Sequence, residues 1–136
     1  MAELAATRTT NADLLRLADQ IKAAQTPEIE TMTGWLQGAG KPTVAPNAET
    51  DHGPGEHSMP GAMTFGALTR LSEASERKFE RLFLTAMITH HRGAITASKA
   101  EASHLSSPEA KTLARKVISD QQAEVATMKK ILAQIS

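Results

Sequence analysis

The residues of this chain that could do chemistry are few, and they cluster. His90 and His91 are adjacent in a stretch with helical periodicity, with Met87 one turn before them. Neighbouring residues on a helix lie about 100° apart, so the two imidazoles face different directions and cannot take one ion from the same side. One ring could bind a metal together with the Met87 thioether while the other faces a different helix. Alternatively, both rings could serve as hydrogen-bond partners in a buried polar layer. The candidate partners are Gln121 and Glu124 on a later helix and Gln25 and Glu28 on an earlier one. Each Gln-x-x-Glu pair interrupts an apolar stripe, and buried polar groups require partners. Two readings therefore stand: a polar layer alone, or a layer that also holds a metal.

A second set of donors lies between residues 51 and 63, where His52 and His57 offer imidazoles and Met59 and Met63 offer thioethers. Thioether suits Cu(I), and imidazole suits Cu(II) or zinc. A labile copper site could be built this way without cysteine, of which the chain has none. The plainer reading is a solvated linker. Glu101-x-x-His104 has the spacing used by di-iron carboxylate bundles, but such a site needs a second copy and two further carboxylates. A ferritin-like di-metal oxidase is thus the most distant expectation. No Gly-rich phosphate loop, nucleophile elbow or His-Glu-x-x-His motif appears, and no catalytic residue is assigned.

These donors need elements to position them, and composition says the elements are helices. The 136 residues suffice for one domain, aromatics are 3%, and alanine, the best helix former, is abundant. Fifteen basic residues balance fifteen acidic ones, which argues against a nucleic-acid partner. No stretch approaches the roughly 20 apolar residues of a membrane span, and no signal peptide opens the chain.

Three helical stretches are expected. The first runs from about Asn11 to Gln37, with capping-box spacing from Thr10 to Asp13, and Gly38 and Gly40 end it. Pro27 predicts a kink near Ala23 and Ala24, or two shorter helices. Trp35 and Met32 read as core and cap residues. A Pro/Gly-rich linker occupies 38–63. The second helical region begins near Phe65, breaks around Ser72, and continues to about His104 with a stripe of Phe79, Leu82, Phe83, Ala86, Met87, His90, Ala94 and Ala97. Ser107 as N-cap and Pro108 at the first helical position start the third, which runs to about Ala133.

An internal repeat organises these stretches. Leu17, Ala18, Ile21, Gln25, Glu28, Ile29, Thr31, Met32 and Leu36 match Leu113, Ala114, Val117, Gln121, Glu124, Val125, Thr127, Met128 and Leu132 at a constant offset of 96 residues. The expected organisation is a remnant of a first repeat over 1–37, the linker over 38–63, and a complete second repeat over 64–136, all in one structural domain.

The combination of Phe79-x-x-x-Phe83-Leu84-x-x-Met87-Ile88-x-His90-His91-x-Gly93-Ala94-Ile95 with the Gln121-x-x-Glu124 helix resembles the family called domain of unknown function 305. Met59-Pro60-Gly61-Ala62-Met63 is similar to the Met-Pro-Gly-Met-Met stretch that often precedes its His-His helix. The resemblance implies an all-α, ferritin-like antiparallel helical bundle, a four-helix arrangement in the family, with three main helices here. It implies a bacterial, exported protein, and an association with copper or other metals. Family repeats pair a His-His helix with a Gln-x-x-Glu helix, and Met1-Ala2-Glu3-Leu4 looks like the tail that follows a His-His helix. The chain is therefore expected to begin inside the first repeat, and a homodimer that shares helices is expected to cover the open apolar surface. Ala97 and Ala62 stand where the family commonly has Met, and Glu80 where it has Asp.

Overall fold

A computed structural model of the chain describes residues 2–38, 40 and 63–136. Most of the linker, including His52, His57 and Met59, lies outside the described residues. Five helices follow in order: α1 (Ala2–Arg8), α2 (Ala12–Gly38), α3 (Phe65–Glu73), α4 (Glu76–Ala102) and α5 (Pro108–Ile135). The described residues contain no strand. The protein is all-α, and its described residues form three long helices and two short ones rather than four of equal rank.

Local chemistry sets the helix ends. The Ser107 hydroxyl accepts the backbone N–H of Ala110 at 3.3 Å and Pro108 follows it, which satisfies one of the free donors at the start of α5. At the start of α2 the cap is Asn11, not the Thr10 that the capping-box spacing suggested. Its Oδ1 accepts from the backbone N–H groups of Asp13 and Leu14 at 3.1 and 3.3 Å. Pro27 does not divide α2, which runs unbroken to Gly38. Gly40, at a φ of 67°, then donates its N–H to Gln37 O, a left-handed turn that suits glycine. Between α3 and α4 the chain extends through Ala74 and Ser75, and Glu76 enters α4 at a φ of 53°.

α4 and α5 form an antiparallel hairpin, closed at its far end by Arg81 Nη2 donating to Ile135 O at 3.4 Å. α2 packs on α1 and α5, and α3 on α4. The core gathers Leu14, Leu17, Ala18 and Ile21 of α2 with Phe79, Phe83, Leu84, Met87 and Ile88 of α4 and Val125, Met128 and Ile131 of α5. The Phe79 and Phe83 rings stack at 5.5 Å, and burying each contributes about 1.5–3 kcal/mol. This core sits at one end of the bundle, where α2 and α4 begin and α5 finishes. At the other end Ala94, Ile95, Leu113, Ala114 and Val117 are half-buried. Trp35 is there too, 42% exposed, and so is not the core residue its type suggested. The last turns of α2 lie along that end, separated from the start of α5 by a groove.

Candidate metal and polar-layer site

The buried face of α4 runs through Phe79, Glu80, Phe83, Leu84, Met87, Ile88 and His91. That face carries His91 inward and leaves His90 exposed. The expected stripe placed His90 on the core face, and the structure exchanges the two. The reason is the width of the face: Leu84 and Ile88 are buried as well, which turns its centre toward the residue after each stripe position.

His91 is fully buried. Its Nδ1 lies 2.9 Å from Met87 O, and its Nε2 lies 2.7 Å from Glu124 Oε2. A carbonyl oxygen only accepts, so Nδ1 carries a hydrogen and donates it. One proton then lies between Nε2 and the carboxylate, in an ion pair or a neutral pair. Both ring nitrogens are engaged, and a metal at Nε2 would have to displace Glu124. Gln121, one turn before Glu124, keeps its Oε1 buried without a partner among the described residues.

The equivalent pair on α2 has a different environment. Glu28 is buried, and its Oε1 lies 3.5 Å from Lys116 Nζ of α5. Lys116 also donates to Asp120, and the two carboxylates, Asp120 foremost, push its pKa up. Gln25 is half-buried. Glu124 thus meets a histidine where Glu28 meets a lysine.

His90 lies beside His91, with ring centroids 6.1 Å apart and planes 65° apart. Partial burial, and then the neighbouring His91, hold its pKa below the usual value. Its imidazole is therefore neutral at neutral pH, with a lone pair to offer. Met87 faces the core at 4% exposure. Met63 is half-buried and lines a groove of about 270 Å³ between α3 and α4 that reaches Thr89. Glu101 and His104 are both exposed where α4 ends. Among the described residues no three His, Asp or Glu side chains come close enough to hold an ion.

One buried polar contact escaped the sequence reading. Glu80 is buried between Phe79 and Phe83 along α4, and its Oε1 accepts from the Thr9 hydroxyl at 2.5 Å. The same hydroxyl accepts from Asn11 N at 3.0 Å, so the turn from α1 into α2 is tied to the start of α4. The available signal was a carboxylate within an apolar stripe, the same signal that singled out Glu28 and Glu124.

A helical bundle whose hairpin helices are bridged by a buried histidine and carboxylate is the class this geometry defines. The chain belongs to the family described as Domain of unknown function (DUF305), whose model matches residues 1–132. It is similar to a DUF305 protein of Streptomyces coelicolor, assigned as a secreted protein, at 28% identity and a TM-score of 0.85, covering 98% of this chain and 80% of that one. It is also similar to CopM in its Cu(II)-bound form, at 29% identity and a TM-score of 0.81, covering 99% of this chain and 85% of that one. The Cu(I)-bound form of CopM gives 28% identity and a TM-score of 0.77, covering 98% and 83%. No match was found among curated proteins. No described helix is long and apolar enough to cross a membrane.

Proposed function

We propose that this protein is a non-enzymatic, exported binder of copper, and that the two histidines divide the work. His90 is the metal-facing ligand, and His91 with Glu124 is a structural bridge. The observation that carries this reading is the contrast between an exposed imidazole at His90 and a buried imidazole at His91 whose nitrogens are both engaged. The donor set fits the metal. Imidazole and thioether are the donors it offers, and together they suit copper in both oxidation states. His52, His57, Met59 and Met63 are the further donors in this reading, and Met87 joins them only by turning out of the core. Similarity over nearly the whole chain to a protein solved with Cu(I) and with Cu(II) supports copper over zinc or iron. The likeness to a Streptomyces protein assigned as secreted supports export. The protein works as a homodimer.

The buried bridge favours one further reading, a structural or partner-binding module whose Gln25, Glu28, Gln121 and Glu124 layer sets helix register and which holds no metal. Titrating metal-free protein with Cu(I) and with Cu(II) separates the two. Copper binding tighter than micromolar, weakened at least tenfold by His90→Ala and unchanged by His91→Ala, supports the metal reading. Binding that is weaker than micromolar, or indifferent to His90→Ala, leaves the structural module.

A further inference from the structure

The internal repeat allows burial to be compared between equivalent side chains. Leu17, Ala18 and Ile21 of α2 are 2%, 3% and 1% exposed. Leu113, Ala114 and Val117, their counterparts 96 residues later on α5, are only half-buried. α1 packs on the first half of α2 and reaches Lys22 through Glu3 at 3.2 Å. The first half of α5 has no such cover among the described residues. Instead a groove of about 470 Å³ opens between it and the end of α2, with Trp35 and Thr31 on one wall and Glu109, Thr112, Leu113 and Lys116 on the other.

The α5 wall has a particular order. Glu109, Thr112, Leu113 and Lys116 fall at i, i+3, i+4 and i+7, which is one helix face two turns long. The midpoint of that face is the Thr112–Leu113 step, and the charges at its two ends are opposite. A two-fold axis through the midpoint, with a second α5 laid antiparallel, sets Glu109 against the partner's Lys116 and Lys116 against the partner's Glu109. A self-complementary face of this kind is what a closed two-fold interface requires. Lys116 remains 60% exposed and uses only two of its three donors on Glu28 and Asp120, so one remains for this contact. Trp35 lines the groove and is 42% exposed, and tryptophan is enriched among the residues that anchor strong interfaces. The net charge of zero adds no general repulsion between copies.

We propose that a second copy of this chain docks on the α2–α5 groove, two-fold and antiparallel across Thr112 and Leu113, with reciprocal Glu109–Lys116 pairs and Trp35 buried at the contact. The proposal rests on the homodimer named under the proposed function and specifies its surface; it does not depend on copper. The test is sedimentation equilibrium of the full chain, metal-free, over a range of concentrations. Wild-type protein is expected to dimerise, with the emission of Trp35, the chain's single tryptophan, shifting to the blue as dimer forms. Glu109→Lys alone and Lys116→Glu alone each set like charges face to face and should weaken self-association at least tenfold. Mixing the two variants restores both pairs in a heterodimer of near wild-type affinity. Trp35→Ala, at a position 42% exposed, should also weaken the dimer at least tenfold, whereas Phe65→Ser on α3, 86% exposed, should not. A wild-type chain that stays monomeric at millimolar concentration overturns the proposal. So does a dimer indifferent to Trp35→Ala, or a mixture of the two charge variants that associates no better than either alone.

Discussion

Nε2 of His91 and Oε2 of Glu124 lie 2.7 Å apart, joining the middle of α4 to α5 across 33 residues of sequence. The ring is fully buried and its other nitrogen is fixed on Met87 O at 2.9 Å, so the imidazole has one orientation and the hairpin one register. Removing one member of a buried, hydrogen-bonded pair leaves the other without a partner where water cannot replace it. Glu124→Ala is therefore expected to lower stability by about 3 kcal/mol in urea denaturation, and Glu124→Gln, which keeps an acceptor, by about 1 kcal/mol. In neither variant should copper affinity change, since the bridge is not the ligand.

The Thr9–Glu80 hydrogen bond makes a second, independent prediction. Thr9→Val preserves shape but leaves a buried carboxylate oxygen without its donor, at a cost of about 1–3 kcal/mol. Thr9→Ser retains the hydroxyl and should be near neutral. Thermal melts of the two variants side by side check this, and equal losses would mean that the methyl group, not the hydroxyl, matters.

His90 sets a pH dependence whose sign follows from its environment. Burial and His91 hold its folded-state pKa below the unfolded value of 6.5. Across that window the unfolded chain binds more protons than the folded one, so stability is full above pH 6.5 and falls as pH drops through the folded value. His90→Gln should flatten this limb of the melting temperature measured between about pH 5 and 7. The same lowered pKa keeps the lone pair available to copper, so affinity should also fall over that interval in the wild type.

Glu76 enters α4 with a φ of 53°, a left-handed conformation that a side chain resists by about 1–2 kcal/mol. Glycine accepts it freely, although it forfeits the favourable acidic charge in the first turn. Glu76→Gly is expected to stabilise the fold by about 0.5 kcal/mol, read as a rise in urea midpoint at unchanged slope. A loss of stability would show that the carboxylate outweighs the backbone strain.

Much of the fold is legible in the sequence alone. Apolar spacing marked three long helices, Ser107 and Pro108 marked the start of α5, and Gly38 and Gly40 marked the end of α2. The site was legible in part. Repetition of Gln-x-x-Glu on two apolar stripes pointed to Glu28 and Glu124, and both are shielded from solvent, Glu28 buried and Glu124 partly so. The Thr9–Glu80 contact was not, because a hydrogen bond across 71 residues leaves no local pattern at either end.

Taken alone, the sequence determined where helices form and stop, and that two polar motifs repeat at an offset of 96 residues, because those properties come from neighbours within a turn or two. It also determined that the two histidines must face different ways, since the angle between adjacent residues on a helix is intrinsic. Only the tertiary structure decided which of them is buried, that Glu124 meets His91 while Glu28 meets Lys116, and that Trp35 stands at an open groove. Each of these depends on which helix lies opposite and at what rotation. That is set by the packing of the whole bundle, where widening one buried face by Leu84 and Ile88 is enough to turn His91 in and His90 out.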